Sequence, residues 1–331
     1  MAKRQNKEEK FKTMIGGQAL IEGIMMRGPQ KDAIVIRGKE GLSVETSPRK
    51  VRSKKSILSW PLIRGTVNFF DAQITGIKAT LRSADLAPEE YQEEPSKFDR
   101  WLEKKLENKK SRDFIMGLLL VISLSLSVCI FFLIPSIIGS FFADYINNNL
   151  LQNLLEGLIR IIIFVVYMFL MSRIGEMKRV FSYHGAEHKT IRCYEAGLDL
   201  TVENVRKQSR KHPRCGTSFL LVVMIISILV FSAASELLLH LVPTLALYSG
   251  TLWFKLLMIG YKLLLLPIVV AFSYEFNRLV ARYDNFFTRI LTKPGMWFQN
   301  FTTYEPDDEM IEVGIAALTA VLPEQEGEDR L

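Results

Sequence analysis

Four long apolar runs dominate the pattern of polar and hydrophobic positions. They extend from Ile115 to Phe142, Leu151 to Met171, Thr217 to Val242 and Thr251 to Tyr274. A helix crosses the hydrocarbon core of a bilayer in roughly 20 mostly apolar residues, so each run is long enough to span one. The first run carries no charge, and Pro135 is placed to kink it near its outer end. A soluble protein with very apolar core helices is the competing reading, and the length of this uncharged run argues against it.

The loops orient the spans. Ala143 to Leu150 and Val242 to Gly250 contain no Lys or Arg, whereas Ser172 to Cys215 contains ten. Lys104, Lys105, Lys109, Lys110 and Arg112 precede the first span, and Arg278, Arg282, Arg289 and Lys293 follow the fourth. Basic loops stay on the cytoplasmic side, so both termini are predicted to be cytosolic. Near the N-terminus, Lys3, Arg4, Lys7 and Lys10 are not followed by the apolar core of a signal peptide.

The predicted fold is an α-helical membrane protein with four transmembrane helices. A small N-terminal cytosolic β-containing subdomain and a cytosolic helical hairpin between spans two and three complete it. The segments are 1–55 (β-rich), 56–113 (amphipathic and charged juxtamembrane helices), 114–171 (spans one and two), 172–216 (the His/Cys loop), 217–274 (spans three and four) and 275–331 (amphipathic segment and short helix). Ala33 to Arg37 and Leu42 to Thr46 flank Gly38-Lys39-Glu40-Gly41 and read as a β-hairpin. The stretch from Gly16 to Gly28 adds a possible strand. Its Gly-Gly pair lacks the Lys-Ser/Thr of a phosphate loop.

Ile63, Val67, Phe70, Ile74, Ile77 and Leu81 recur at helical spacing. This stripe either covers the small sheet or rests in the membrane interface. Pro88 to Pro95 reads as an acidic linker, and Phe98 to Asp113 as a charged helix. Asp284 to Phe301 mixes aromatic and basic residues, as a membrane-surface segment does. Met310 to Val321 is predicted as a short helix started by Pro306-Asp307-Asp308, and Glu324 to Asp329 as a solvated acidic tail.

Composition fits apolar blocks joined to charged segments: 331 residues, 49% of them hydrophobic, with a formal net charge of +7. The three cysteines form no disulfide framework, so free thiols in a reducing compartment are expected.

Three of the four histidines fall in the central basic loop. In His184-Gly185-Ala186-Glu187-His188, the two imidazoles are four apart and share a helical face, so they can hold one metal ion. Glu187 beside them can act as a base toward water, and the order matches the inverted zincin pattern. In His212-Pro213-Arg214-Cys215, an imidazole and a thiolate three apart can clip a metal at a turn. Gly197 is expected to end the first helix and Thr201 to cap a second, folding the loop so that the two clusters meet. Zinc suits this donor set. Glu195, seven residues beyond His188 and so roughly 10 Å further along a helix, is a poorer ligand. Cys193 points off the histidine face. The bland reading gives the histidines ordinary hydrogen bonds near lipid headgroups and makes Cys215 a small packed hydrophobe.

Charges inside the spans are costly, and their default reading is functional. Glu156 and Arg160 can pair along one helix. Glu236 and Lys255 lie at similar depth and can pair between helices. Lys262 lies mid-span with no evident partner and would snorkel. A structural ion-pair network is the competing reading.

GGQALIEGIMMRGP (Gly16 to Pro29), SYHGAEHKTI (Ser182 to Ile191), HPRCGTSFL (His212 to Leu220) and TTYEPDDEMIEVGIAAL (Thr302 to Leu318) resemble the YqhQ-like family of bacterial multi-pass membrane proteins of unknown function. The resemblance covers nearly the whole chain from Gly16 to Leu318. It implies a bacterial plasma membrane and a predicted metal-dependent enzyme, with His184, Glu187, His188, His212 and Cys215 as the site.

Three function classes follow. The first is a membrane-bound metal-dependent hydrolase. The second is a non-enzymatic factor for membrane-protein biogenesis or assembly, whose basic cytosolic face attracts anionic lipids or ribosomal RNA. The chain carries no specific nucleic-acid motif. The third is a small transporter using the intramembrane charges, ranked last because internal repeats and paired broken helices are not evident.

Overall fold

The computed structural model describes residues 11–49, 56–88, 109–142, 145–146, 148–248, 250–283, 285–325 and 327–330. Residues 89–95 of the linker and most of the charged helix from Phe98 lie outside them. The chain divides into two compact units. One comprises Met1–Pro88, Met168–Val222 and Val270–Leu331, the other Glu89–Tyr167 and Val223–Val269.

Four strands, β1 (Gly16–Leu20), β2 (Gly23–Arg27), β3 (Lys31–Gly38) and β4 (Gly41–Pro48), form an antiparallel meander in the order β1-β2-β3-β4. The hairpin expected around Gly38 to Gly41 is β3–β4, with Arg37 opposite Leu42. The Gly16 to Gly28 stretch supplies two strands rather than one. Glu22 sits in the turn between them at φ 51°, the left-handed region. Its carboxylate is held by both Arg179 Nε and Nη2 at 2.6 Å and by the Tyr183 hydroxyl at 3.1 Å.

The helices are α1 (Ile63–Leu86), α2 (Lys109–Val128), α3 (Ile134–Ser140), α4 (Asn149–Met171), α5 (Gly175–Glu195), α6 (Val202–Arg206), α7 (Gly216–Leu241), α8 (Leu252–Arg282), α9 (Phe286–Thr302) and α10 (Asp308–Val321). Four helical stretches are long and apolar enough to cross a membrane: Val121–Ser140, Leu150–Met171, Gly216–Leu241 and Leu252–Val280. A π-helical turn, Cys129–Leu133, joins α2 to α3 just before Pro135.

The sheet is covered on both faces. On one, Ile24, Met26, Ala33 and Val35 pack with Tyr183, Ala186 and Ile191 of α5 and Val313, Ala317, Leu318 and Val321 of α10. These are alternate strand positions, so the intervening Met25 and Ile34 face the other way and meet Ala79 of α1.

Helix α1 approaches the sheet with its small residues, Gly76, Ala79 and Ser83, which are buried. Ser83 Oγ accepts from Ile21 N at 3.2 Å. A Cβ on Gly76 would lie 2.3 Å from Gln18 Oε1. Phe70, Ile74, Ile77 and Leu81 are each more than half exposed. The apolar stripe therefore does not cover the sheet. Bulky side chains would hold the helix away, and the small face lets it close.

The C-terminal segment also differs from a solvated tail. Asp329 is buried and accepts from Thr13 Oγ1, while Thr13 and Arg330 form a β-bridge. The gain is pairing for backbone groups of both segments.

Candidate functional site

Helix α5 is unusual in being polar and nearly enclosed. Twelve of its residues are buried, among them Glu187, His188, Lys189, Thr190 and Glu195. Buried polar groups need partners, so this helix must be read through its hydrogen bonds. It ends where Gly197 takes φ 59°, and Thr201 caps α6 by accepting from Asn204 N.

His184 and His188, one turn apart, stack edge to face with ring centroids 4.3 Å apart. His184 Nδ1 lies 2.8 Å from Thr302 O, and His188 Nδ1 lies 2.7 Å from Arg210 O. A carbonyl oxygen can only accept, so each Nδ1 is the donor. Both Nε2 atoms then face inward. Cys215 meets them there, its Sγ 3.2 Å from His184 Nε2. One ligand atom from each of His184, His188 and Cys215 lies within 4.8 Å of the others.

Cys215 stands at the start of α7. Its sulfur accepts from Thr217 N at 3.4 Å and lies 3.1 Å from Thr217 Oγ1. A helix N-terminus and donors of this kind stabilise a thiolate. Burial opposes ionisation, yet His184 and His188 hold the Cys215 thiol well below its usual range. Burial likewise works against a charged His184, but Cys215 and Glu187 outweigh it and raise its pKa to about 9.

Two imidazole nitrogens and a thiolate are a donor set that suits zinc. Bonds of about 2.1 and 2.3 Å around a tetrahedral ion place neighbouring ligand atoms roughly 3.6 Å apart, and the 3.2 Å between Sγ and Nε2 lies close to that. The donor types and their spacing within 4.8 Å are compatible with such an ion.

Glu187 completes the cluster. Its Oε2 is 3.8 Å from His184 Nε2, and its Oε1 accepts from Gly17 N at 3.0 Å. Burial raises its pKa, against the lowering pull of His188 and His184. Gly17 is the residue the sequence did not flag for this site. A Cβ there would come within 2.7 Å of Met25 O and 3.0 Å of Glu187 Cγ. The Gly-Gly pair is the signal, read as a place where backbone must approach closely.

His212 does not join the three. Its Nε2 faces Glu195 Oε2 at 3.2 Å and its Nδ1 accepts from Arg214 N at 3.3 Å, which engages both nitrogens. Its ring is 5.7 Å from that of His188, so the two clusters do adjoin. Glu195 also accepts from Thr13 N and pairs with Arg214. Burial, with Arg214 adding to it, pushes His212 down to about 4 despite the bond to Glu195. The folded pKa is below the unfolded 6.5, so this burial stabilises the fold above pH 6.5 and the contribution is lost as pH falls toward 4. Unfolding followed with a chelator present should show the wild type losing about 3 kcal/mol more over that window than His212→Gln. Parallel pH profiles would refute it. Cys193 is buried and its sulfur bonds to Asp199 O.

The basic loop is largely engaged at home. Arg206 pairs with Asp308, Lys207 with Glu203, and Arg210 and Lys189 with Glu305.

The second unit holds the charges of the spans. Pro135 has no N–H to offer Phe131 O four residues back, and Arg160 Nε donates to that oxygen at 2.8 Å. Arg160 also pairs with Glu156 at 3.0 Å, as its spacing predicted. Lys262 does not snorkel. It is buried and reaches both Glu156 oxygens, at 3.0 and 3.1 Å. Lys255 donates to Ser140 Oγ at 3.1 Å rather than pairing with Glu236, which makes no ion pair among the described residues.

Four membrane-length helices, a small meander sheet and a largely buried His/His/Cys group define the class as a membrane protein with a candidate metal-binding group. Residues 60–324 match the family model DUF1385, described as a protein of unknown function, and the chain belongs to that family. It is 34% identical over 314 residues to the uncharacterized protein YqhQ of Bacillus subtilis (strain 168), covering 93% of this chain and 92% of that protein. No solved structure matches.

Proposed function

We propose that this chain is a multi-pass plasma-membrane protein that holds one zinc ion on His184, His188 and Cys215 and uses Glu187 beside it for hydrolysis. The observation that carries the reading is the pair of Nδ1 bonds to main-chain carbonyls, at 2.8 and 2.7 Å, which turn both Nε2 atoms toward the Cys215 sulfur, where an ion would take the place of the proton. Metal-ligating histidines are oriented in this way. The basic flanks favour a cytosolic position for the unit that carries the group.

A divalent ion held by His184, His188 and Cys215 would supply Lewis-acid chemistry there. The protein's own part lies with Glu187. The Gly17 N–H holds Oε1, which leaves Oε2 on the side of His184 to take a proton. A buried carboxylate with a raised pKa is a stronger base than an exposed one. The assembly-factor alternative draws less support, because Arg206, Lys207 and Arg210 are already paired within the chain.

Detergent-purified wild type should carry about one zinc per chain by elemental analysis, and His184→Ala almost none. Glu187→Gln should keep its zinc. Cobalt in place of zinc should give thiolate charge-transfer absorption that Cys215→Ser abolishes. Zinc retained by His184→Ala, or lost from Glu187→Gln, would contradict this assignment of roles.

The exposed faces of α1 and α9 fit the same picture. Phe70, Ile74 and Ile77 on one, and Phe286, Phe287 and Trp297 on the other, present apolar surface suited to the bilayer interface.

A further inference from the structure

Helix α9 supports all three residues of the His/His/Cys group from one side. Thr302 O accepts from His184 Nδ1 at 2.8 Å. Arg210 donates to the carbonyl of Thr303, the residue that ends the helix, and Arg210 O in turn accepts from His188 Nδ1 at 2.7 Å. Gln299 serves the third. It is fully buried, its Oε1 accepts from His212 N at 2.8 Å, and its Nε2 donates to His212 O at 2.7 Å and to Ser218 Oγ at 3.0 Å. His212 and Ser218 lie on either side of Cys215 in the chain, so one amide brackets the turn that presents the thiol.

The same helix is tied to two membrane-length helices. A Cβ at Gly295 would lie 2.6 Å from Ser218 Cβ, and Ser218 stands in the first turn of the stretch Gly216–Leu241. Only residues 283–285 separate the start of α9 from the end of α8, whose apolar stretch reaches Val280. The side away from the metal group is apolar. At about 100° per residue, Phe286, Ile290 and Trp297 fall close to one line, opposite Gly295, Gln299 and Thr302. All three are exposed, Phe286 by 72%, and Lys293 is exposed beside them. Aromatic and aliphatic side chains with a basic residue at their edge are the composition of a helix lying in a lipid interface.

We propose that α9 couples the lipid surface to the metal group: its outer stripe is seated in the bilayer interface, and that seating keeps Gln299, Thr302 and Thr303 where the ligands need them. Gln299 is the positioning residue for Cys215. The inference rests on the zinc reading above and adds that the membrane surface regulates the site. The three supports belong to one helix and its cap, so a shift of the helix moves them together. Lipid contact on one side therefore sets the ligand geometry on the other.

The test uses the full chain in nanodiscs of phosphatidylcholine and phosphatidylglycerol, with and without bromine on the acyl chains, and titrates zinc against a competing chelator. Bromine should quench the emission of Trp297, read as the difference between wild type and Trp297→Phe. Phe286→Asp with Phe287→Asp should reduce that quenching and weaken zinc binding about 10- to 100-fold, the usual cost of disturbing an orienting group. Leucine at both positions should restore the two readouts. Gln299→Ala should weaken zinc by a similar factor and diminish the cobalt–thiolate absorption, while Trp297 stays quenched. An unquenched Trp297, or wild-type zinc affinity in either the aspartate variant or Gln299→Ala, would overturn the coupling. The phenylalanine variants change only exposed side chains, so they decide the matter should Gln299→Ala fail to fold. A wild type that binds no zinc would instead overturn the metal reading itself, and the coupling with it.

Discussion

Replacing Gly185 with alanine is expected to unseat the chain after α9 and to cost about 3 kcal/mol or more, the upper range for overpacking. A Cβ at Gly185 would stand 2.0 Å from Tyr304 O. That oxygen is main chain, so no rotamer change relieves the contact. The segment it belongs to is fixed at several points. Tyr304 N donates to Phe181 O at 2.9 Å, its ring stacks on Phe181, and its hydroxyl reaches Ser172 O at 3.1 Å. Thr302 O, two residues earlier, is the acceptor that orients His184. Moving this segment releases the imidazole, so Gly185→Ala should lower zinc affinity as well as stability, although it touches no ligand atom. Loss of an orienting bond typically costs 10- to 100-fold in metal affinity. Thermal unfolding and a zinc competition titration on the same preparation check both arms. Wild-type values in each would show that the close approach of α5 to Tyr304 is wrong.

The second large effect lies in the spans. Glu156→Gln should destabilise the protein by about 3–5 kcal/mol, because it leaves Arg160 and Lys262 buried without a carboxylate. Lys262→Met should cost clearly less, because the neutral Glu156–Arg160 pair survives. The asymmetry is the informative quantity. A simple staple, in which each contact contributes alike, predicts similar losses for the two variants. Denaturant unfolding in detergent separates the cases. A Lys262→Met loss equal to that of Glu156→Gln would mean that Glu156 is not the shared partner.

Much of this molecule is written in local pattern. The four apolar runs need only length and the absence of charge to be recognised, since the bilayer sets both. The β3–β4 hairpin follows from alternation around Gly38 to Gly41, and α10 from its Asp307 cap and apolar spacing. The i, i+4 relation of His184 to His188, and of Glu156 to Arg160, is a property of one helix, and it too was legible.

What the sequence could not decide is which partner each polar group takes, because that depends on segments far apart in the chain. Nothing in His212-Pro213-Arg214-Cys215 says that Cys215 turns toward His184 while His212 turns to Glu195. The choice is made where α5 meets the start of α7. Glu236 and Lys255 match in depth, yet Lys255 meets Ser140 and the mid-span Lys262 takes Glu156. The stripe on α1 was visible, but its burial was decided by Gly76, Ala79 and Ser83, small enough to let the helix close on the sheet. Periodicity fixes which residues share a face. Only the packed structure, by the room and the unpaired donors it leaves, fixes what that face will meet.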